Sequence, residues 1–217
     1  LWAFSLNARD TYEEMYWKYG YDRYFDSFEH YYLLYQRRNL DLWAEYADGK
    51  VTKEELNRQR YLYPLEAVGA GDSTLAKAYE RDALTMIPTK SKLMPHAREV
   101  LEYLSGKYNL YILSNGFKEL QSHKMRSSGI DEYFKKVVLS DDIGILKPWP
   151  EIFHFALSTT QSELNNSLMI GDSWENDIVG AAGVGMHQVF YNLSGRTDLP
   201  FAPTYQITDL KDLFNFL

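Results

Sequence analysis

After Pro88 the sequence alternates between short apolar runs and helical segments, and this alternation constrains the fold more than any other feature. Runs typical of strands cover residues 108–113, 136–139, 167–170 and 188–191. Segments with a helical pattern lie around them, at residues 95–106, 120–128, 150–159 and 178–183. Repeated strand and helix units predict a parallel sheet covered by helices on both faces. We therefore predict an α/β fold with a Rossmann-like, doubly wound parallel sheet.

The residues before this region have a different pattern. From about Asn7 to Met86 the sequence is helical and rich in aromatic residues that recur at spacings of three and four, and it contains no convincing strand. Thr52 followed by Glu55 fits a capping box at the start of a helix through Arg60. We predict a small α-helical cap at residues 14–88, inserted into a core domain formed by residues 1–13 and 89–217.

Composition narrows the class of protein. The chain has 217 residues, 45% of them hydrophobic, which is enough for one large domain or for one domain with a smaller insertion. Its net charge of −7, without a block of Lys or Arg, argues against binding to nucleic acid polymers or anionic lipid. It has no cysteine and no apolar run near the length of about 20 residues that crosses a bilayer. We expect a cytoplasmic protein.

Ligands of open α/β sheets bind beyond the carboxyl ends of the strands, so polar residues at those positions are the first candidates for a site. Ser114, Asn115 and Gly116 follow one predicted strand. A hydroxyl, an amide side chain and the backbone N–H groups of such a turn are suited to surround a phosphate. The alternative is an ordinary turn between a strand and a helix.

A single lysine stands at a second strand end. Lys147 directly precedes Pro148, and Pro150 follows at the expected start of a helix. A lysine held there is suited to bind a phosphoryl oxygen and to stabilise negative charge in a transition state. The alternative is a solvated lysine before a helix.

Acidic residues crowd the third strand end. Asp172, Glu175 and Asp177 follow the run that ends at Gly171. Carboxylates also cap helix N-termini, so capping is an alternative reading. A hard divalent cation relieves the repulsion between clustered carboxylates, and Mg²⁺ prefers one or two carboxylates with water and phosphate oxygens. We favour a Mg²⁺ site.

The order of these three segments resembles the haloacid dehalogenase (HAD) hydrolase superfamily. In that resemblance Ser114 matches the motif II hydroxyl, Lys147 the motif III lysine, and Asp172 and Asp177 the motif IV acids. The helical block matches the small cap of the subclass whose cap follows motif I. Four segments further resemble the bacterial pyrimidine 5'-nucleotidase branch: residues 42–46, 114–117, 120–121 and 144–153.

The family's motif I, Asp-x-Asp-x-Thr, is absent from the sequence, whose first residues are Leu1 and Trp2. In the family, its first Asp is the nucleophile and its second Asp is the acid and base. We expect about a dozen residues, one short strand with motif I, before Leu1 in the natural protein.

The resemblance implies a Mg²⁺-dependent phosphatase that acts on a small phosphorylated metabolite, preferably a pyrimidine nucleoside 5'-monophosphate, through an aspartyl-phosphate. Asp172 is then a metal ligand, Ser114 and Lys147 act on the phosphoryl group, and Asp177 orients Lys147 or a metal-bound water. The alternatives are a 2-haloacid dehalogenase, a sugar phosphomutase and a non-catalytic binding module.

In the predicted cap, Trp43, Tyr46, Arg38 and Arg60 are our candidates for substrate contacts. His123, His154 and His187 are expected to be structural or solvated rather than metal ligands. The sequence leaves the oligomeric state open.

Overall fold

A computed structural model describes all residues from 1 to 217, and they form two compact units. One unit contains Leu1–Trp2 and Leu93–Leu217, and the other contains Ala3–Lys92. We call them the α/β unit and the helical unit. The chain enters and leaves the helical unit at neighbouring points, because the backbone N–H of Ala3 donates to the carbonyl of Lys92 at 3.0 Å.

The helical unit contains four long helices: α1 (Phe4–Lys18), α2 (Phe28–Ala47), α3 (Lys53–Ala67) and α4 (Ser73–Met86). Polar side chains set three of the helix starts. Ser27 accepts from the His30 amide, and Asp72 accepts from the amides of the first turn of α4. Thr52 and Glu55 form the predicted capping box, although α3 runs on beyond Arg60 to Ala67. These caps satisfy amides that have no partner inside the helix.

Buried tyrosines form the centre of the helical unit. They come from all four helices and from the short 3₁₀ turn Tyr21–Arg23, and they are Tyr12, Tyr16, Tyr21, Tyr31, Tyr35, Tyr61 and Tyr79. The Tyr12 and Tyr35 hydroxyls lie 2.6 Å apart, and their rings meet at a centroid distance of 4.5 Å. Aromatic pairs at such distances stabilise a core beyond their buried area.

The boundaries of the helical unit differ from the predicted residues 14–88. Helix α1 belongs to it, because Tyr12, Met15 and Tyr16 are buried in its centre. At the other end, the buried side chain of Asn7 donates to the Lys92 carbonyl at 2.8 Å. Residues 3–13 and 89–92, which we expected in the core domain, therefore belong to the helical unit.

The α/β unit contains five strands: β1 (Leu110–Ser114), β2 (Phe134–Leu139), β3 (Leu168–Gly171), β4 (His187–Tyr191) and β5 (Tyr205–Ile207). Its helices are α5 (Ala97–Ser105), α6 (Lys118–Ser127), α7 (Pro150–Thr160) and α8 (Gly180–Gly183). Strand β1 pairs with β2, and β3, β4 and β5 pair in that order, always in parallel. The predicted α/β class with parallel strands is confirmed, although the strands form two sheets.

Helices cover both faces of β4, whose side chains alternate. Val189 and Tyr191 pack with α5, while Phe190 packs against Trp174 and Ile178 from the opposite direction. This is the pattern of a strand buried on both sides.

Two elements of the α/β unit differ from the prediction. Strand β5 was not expected, and Trp174–Val179 forms a π-helix that leads directly into α8. A π-helix is rare and is often found at functional sites. No helix of either unit combines the length and the apolar composition required for a membrane span.

Candidate active site at the carboxyl ends of the strands

Ser114 ends strand β1, and its side-chain oxygen accepts two hydrogen bonds. The Gly116 amide donates to Ser114 Oγ at 3.0 Å, and Gln121 Nε2 donates to it at 2.8 Å. A hydroxyl has two acceptor lone pairs and one proton. Because both lone pairs are occupied, the Ser114 proton is directed to a different partner, and the hydroxyl acts as a donor.

Gly116 lies tightly against this arrangement. A Cβ atom at residue 116 would stand 3.0 Å from Gln121 Cδ and 3.2 Å from Ser114 Oγ, which is closer than ordinary contact. The predicted role of its amide as a phosphate donor needs correction, because that N–H is already donated to Ser114. Gly116 shapes the turn instead.

Asn115 connects the end of β1 to the lysine loop. Its Nδ2 donates to the Lys147 carbonyl at 3.0 Å, and the Lys147 amide donates to Asn115 Oδ1 at 2.8 Å. We predicted that this side chain contacts substrate. The structure instead places both ends of its amide on the main chain of Lys147, so Asn115 holds that residue in position.

Lys147 is buried beside Asp177. Their side chains are 10% and 7% exposed, and Lys147 Nζ lies 2.5 Å from Asp177 Oδ1. Nζ also donates to the Leu113 carbonyl at 2.9 Å, which ties the lysine to strand β1. A buried ion pair is retained at little net cost only when further hydrogen bonds satisfy it, and both partners have such bonds here. The predicted pairing of Asp177 with Lys147 is thus present.

The π-helix Trp174–Val179 brings Asp177 to this position. Asp177 Oδ2 accepts the Ser173 amide at 3.0 Å, so the carboxylate folds back over the end of β3. The side chain lies directly on Gly171, where a Cβ would stand 2.2 Å from Asp177 Oδ2. Gly171 is therefore required for the ion pair. It was not among the predicted site residues, and its position just before Asp172 was the available signal.

Asp172 differs from Asp177 in its exposure and in its hydrogen bonds. It is exposed, and its carboxylate makes no hydrogen bond or ion pair with another side chain. The amino group of Leu1 lies near both acids: burial lowers the pKa of that group, while Asp172 and Asp177 oppose the shift. A free carboxylate at a strand end fits the predicted role of Asp172 as a Mg²⁺ ligand. No three His, Cys, Asp or Glu side chains are grouped so as to hold a metal without further ligands.

Hydrogen bonds thus link the segment Ser114–Gly116 at the end of β1, Lys147 and Asp177, and Asp172 directly follows β3. The other predicted site residues lie in the helical unit. Arg38 is paired with Glu45 through two bonds of 2.8 and 3.2 Å, and Trp43 packs on Tyr46 with a centroid distance of 5.9 Å. Arg60 is buried and bonds Asn57.

Three histidines were expected to be structural or solvated. His123, His154 and His187 are exposed, and none belongs to a group of potential metal ligands.

Comparisons with known proteins indicate the family to which the chain belongs. A family model described as haloacid dehalogenase-like hydrolase matches residues 4–185. The chain is 29% identical over 187 residues to the HAD-hydrolase YfnB of Bacillus subtilis, covering 84% of this chain and 78% of YfnB. It is 30% identical over 185 residues to the pyrimidine 5'-nucleotidase YjjG of Escherichia coli, covering 84% and 80%.

Two further findings add to these. The phosphoserine phosphatase of Thermus thermophilus is 30% identical over 180 residues, covering 81% of this chain and 67% of that protein. The crystal structure of YfnB bound to magnesium superimposes with a TM-score of 0.88 at 24% identity, over 100% of this chain and 93% of YfnB. At that identity the superposition shows the fold.

Proposed function

The chain belongs to the haloacid dehalogenase-like hydrolase family, and on that basis we propose that it is a Mg²⁺-dependent phosphatase acting on a small phosphorylated metabolite. The observation that carries the proposal is that hydrogen bonds connect Lys147 to Asp177 and to the strand of Ser114. Lys147 Nζ is bonded at once to Asp177 and to the strand that ends at Ser114. A cation and a hydroxyl donor held at neighbouring strand ends suit a phosphoryl group with negative oxygens.

Ser114 is proposed to bind one oxygen of the transferring phosphoryl group. Its oxygen already accepts from Gly116 and Gln121, so its proton is available for an acceptor such as a phosphate oxygen. A donor fixed before the reaction begins stabilises developing charge without reorganisation in the transition state. Gln121 acts here as a positioning residue.

Lys147 is proposed to offset the negative charge that builds up as the phosphoryl group is transferred. Its position depends on Asp177, which holds Nζ, and on Asn115, which holds its main chain. Asp177 supplies the counter-charge for the buried ammonium. A buried cation acts more strongly on a bound phosphate than an exposed one, because water screens it less.

Asp172 is the residue that we propose as a ligand of Mg²⁺. Its carboxylate is free of other partners, and Mg²⁺ commonly takes one or two protein carboxylates, completing its shell with water and phosphate. When bound, Mg²⁺ neutralises phosphate charge and helps to orient the group for in-line attack.

An aspartyl-phosphate route needs a nucleophilic carboxylate in addition. Asp177 is engaged with Lys147, and Asp172 is assigned to the metal, so the nucleophile remains the expected Asp of the Asp-x-Asp-x-Thr motif.

The preferred substrate class is a pyrimidine nucleoside 5'-monophosphate. The similarity to YjjG supports this class, while the similarity to a phosphoserine phosphatase makes other monoesters necessary controls. Substrate choice in such hydrolases depends on side chains outside the phosphoryl site, and a shared fold does not identify them.

The test is a phosphate-release screen of the purified protein with nucleoside monophosphates, phosphosugars and phosphoserine. We expect release from pyrimidine nucleotides that EDTA abolishes and added Mg²⁺ restores. Lys147→Met should lower kcat/KM by about a hundredfold or more. Lys136→Met is the matched control, because Lys136 is exposed and bonds only Thr159. Halide release from 2-haloacids without metal would contradict the proposal, as would phosphate release at equal rates without metal.

A further inference from the structure

The helical unit contains two predicted ligand-binding arginines, and their surroundings differ. Arg38 meets a carboxylate, because both of its terminal nitrogens bond Glu45. Arg60 is 7% exposed and has no carboxylate partner in the structure. Its Nη2 donates to Asn57 Oδ1, and its Nε has no hydrogen-bond partner.

The groups around Arg60 do not neutralise its charge. Its guanidinium lies 5.0 Å from the ring centroid of Tyr61, close to the phenols of Tyr12 and Tyr35. Burial keeps the pKa of Tyr12 and Tyr35 above the ordinary value, so these phenols are uncharged at neutral pH. Glu80 is the acid that acts on Arg60 through space, but it makes no ion pair with Arg60.

An unpaired charge in a protein interior is strongly unfavourable, because the ion loses its hydration without gaining a counter-ion. Natural proteins rarely bury arginine without such a partner. An external anion that completes the site would remove this cost.

A second unsatisfied polar atom lies on α2, at a position along the helix that corresponds to Arg60 on α3. Asn39 Oδ1 on α2 is buried and has no hydrogen-bond partner. Helices α2 and α3 pack together and are joined by a short connection, Asp48 to Thr52. Asn39 and Arg60 both lie about two turns from that connection, so they occupy matching positions on the two helices. A donor and an acceptor are therefore both left open in the same part of the unit.

We propose that Arg60 binds an oxyanion, a phosphate or carboxylate group of a small polar ligand, and that Asn39 accepts from a hydroxyl or N–H group of the same ligand. Asn57 holds the guanidinium in place. This inference concerns the helical unit alone and does not depend on phosphatase activity.

The experiment is thermal unfolding of the full chain in an anion-poor buffer, with inorganic phosphate added as the probe. Replacing a buried unpaired charge by an apolar side chain of similar length is neutral or stabilising. Without phosphate, Arg60→Met should therefore unfold at the wild-type temperature or about 2 to 4 °C higher. Because a ligand that binds only the folded state raises the unfolding temperature, phosphate should stabilise Arg60→Met less than the wild type.

Two variants complete the design. Arg38→Met is the matched control, and it should keep the full phosphate-dependent increase because Glu45 already neutralises Arg38. Lys147→Met measures how much of the phosphate-dependent increase in unfolding temperature comes from the α/β unit. The decreases caused by Lys147→Met and by Arg60→Met should be additive. Arg60→Lys keeps the charge but replaces the planar guanidinium and its five N–H donors by an ammonium, and it should need about tenfold more phosphate for the same increase.

The proposal is overturned if Arg60→Met is less stable than the wild type without phosphate and gains as much from phosphate. That result would assign Arg60 to packing. Should Arg60→Met fail to fold, a wild-type phosphate response of Arg60→Lys would overturn the proposal equally. Because no turnover is measured, a negative result here leaves the phosphatase proposal unaffected.

Discussion

Each of the two units buries one basic side chain, and the two charges are treated in opposite ways. In the α/β unit, Lys147 is bonded to Asp177 and to the Leu113 carbonyl. In the helical unit, Arg60 has an uncharged amide partner and an unsatisfied Nε. A paired cation is held in one geometry whether or not ligand is bound, which suits a group that acts on a transition state. An unpaired cation gains a counter-ion only when ligand arrives, which suits recognition.

The largest test of this contrast is to leave Lys147 unpaired, as Arg60 is. Asp177→Ala removes the carboxylate but keeps the buried ammonium, and we expect a loss of about 3 to 5 kcal/mol in the free energy of unfolding. Urea denaturation of the purified variant measures it. The double variant Asp177→Ala with Lys147→Met should recover most of that loss, because no charge is then left unpaired. Equal stability of the single and double variants would show that the unpaired Lys147 charge is not the cause of the destabilisation.

The second test displaces the carboxylate without removing it. Gly171→Ala places a methyl group 2.2 Å from Asp177 Oδ2, a distance that requires the side chain to move. We expect a destabilisation of about 1 to 3 kcal/mol, measured by urea denaturation, together with a loss of kcat. Gly183→Ala is the control, because nothing lies within 4 Å of its Cβ position in α8. An equal effect at both glycines would argue against a special role for Gly171.

A smaller effect should separate positioning from binding at the neighbouring strand end. Gln121→Leu removes one of the two bonds to Ser114 Oγ, so the hydroxyl can turn its proton inward. We expect kcat/KM for phosphate release to fall by about tenfold, with most of the change in kcat. Gln121→Glu can no longer donate to Oγ and should behave similarly. If only KM rises, Gln121 contacts the substrate itself.

The smallest expected effect concerns Asp82, a carboxylate of the helical unit that, unlike Arg60, has charged partners. Bonds from Lys18, Tyr19 and Arg81 hold the pKa of Asp82 well below its usual range. A carboxyl with a lowered pKa in the folded state contributes stability above its ordinary pKa of about 4, and this contribution is lost as pH falls below that value. Asp82→Asn should therefore lower the unfolding temperature slightly at pH 7 and have a smaller effect near pH 3. A difference that is independent of pH would contradict this assignment.

Much of the fold followed from local patterns. The apolar runs that became β1 to β4 and the capping box of Thr52 and Glu55 are properties of adjacent residues, so they were correctly predicted. Strand β5 has three residues, of which Ile207 alone is buried, and such a short run carries little signal. The first part of α1, up to residue 13, was expected in the core domain, but its buried side chains pack against tyrosines on distant helices of the helical unit.

The candidate site shows the same division. Ser114, Lys147 and Asp172 were found because each directly follows an apolar run, and Asp177 because it belongs to the same acidic cluster as Asp172. Parallel strands bring residues that follow them to one edge of the sheet. The partners of their polar atoms could not be found in that way. Asn115 and Gly116 were expected to contact substrate, yet their groups bond Lys147 and Ser114.

By itself, the sequence determined the α/β class, the aromatic helical insertion and the residues that stand at the strand ends, because these depend on neighbours along the chain. The tertiary structure decided which charges are paired. Lys147 and Asp177 are 30 residues apart. The π-helix positions Asp177, and the missing side chain of Gly171 leaves room for its carboxylate. Arg60 lies among phenols from α1, α2 and α3 and has no carboxylate partner. Hydrogen bonds and burial between distant residues exist only once the chain is folded, so charge pairing could not be read from spacing alone.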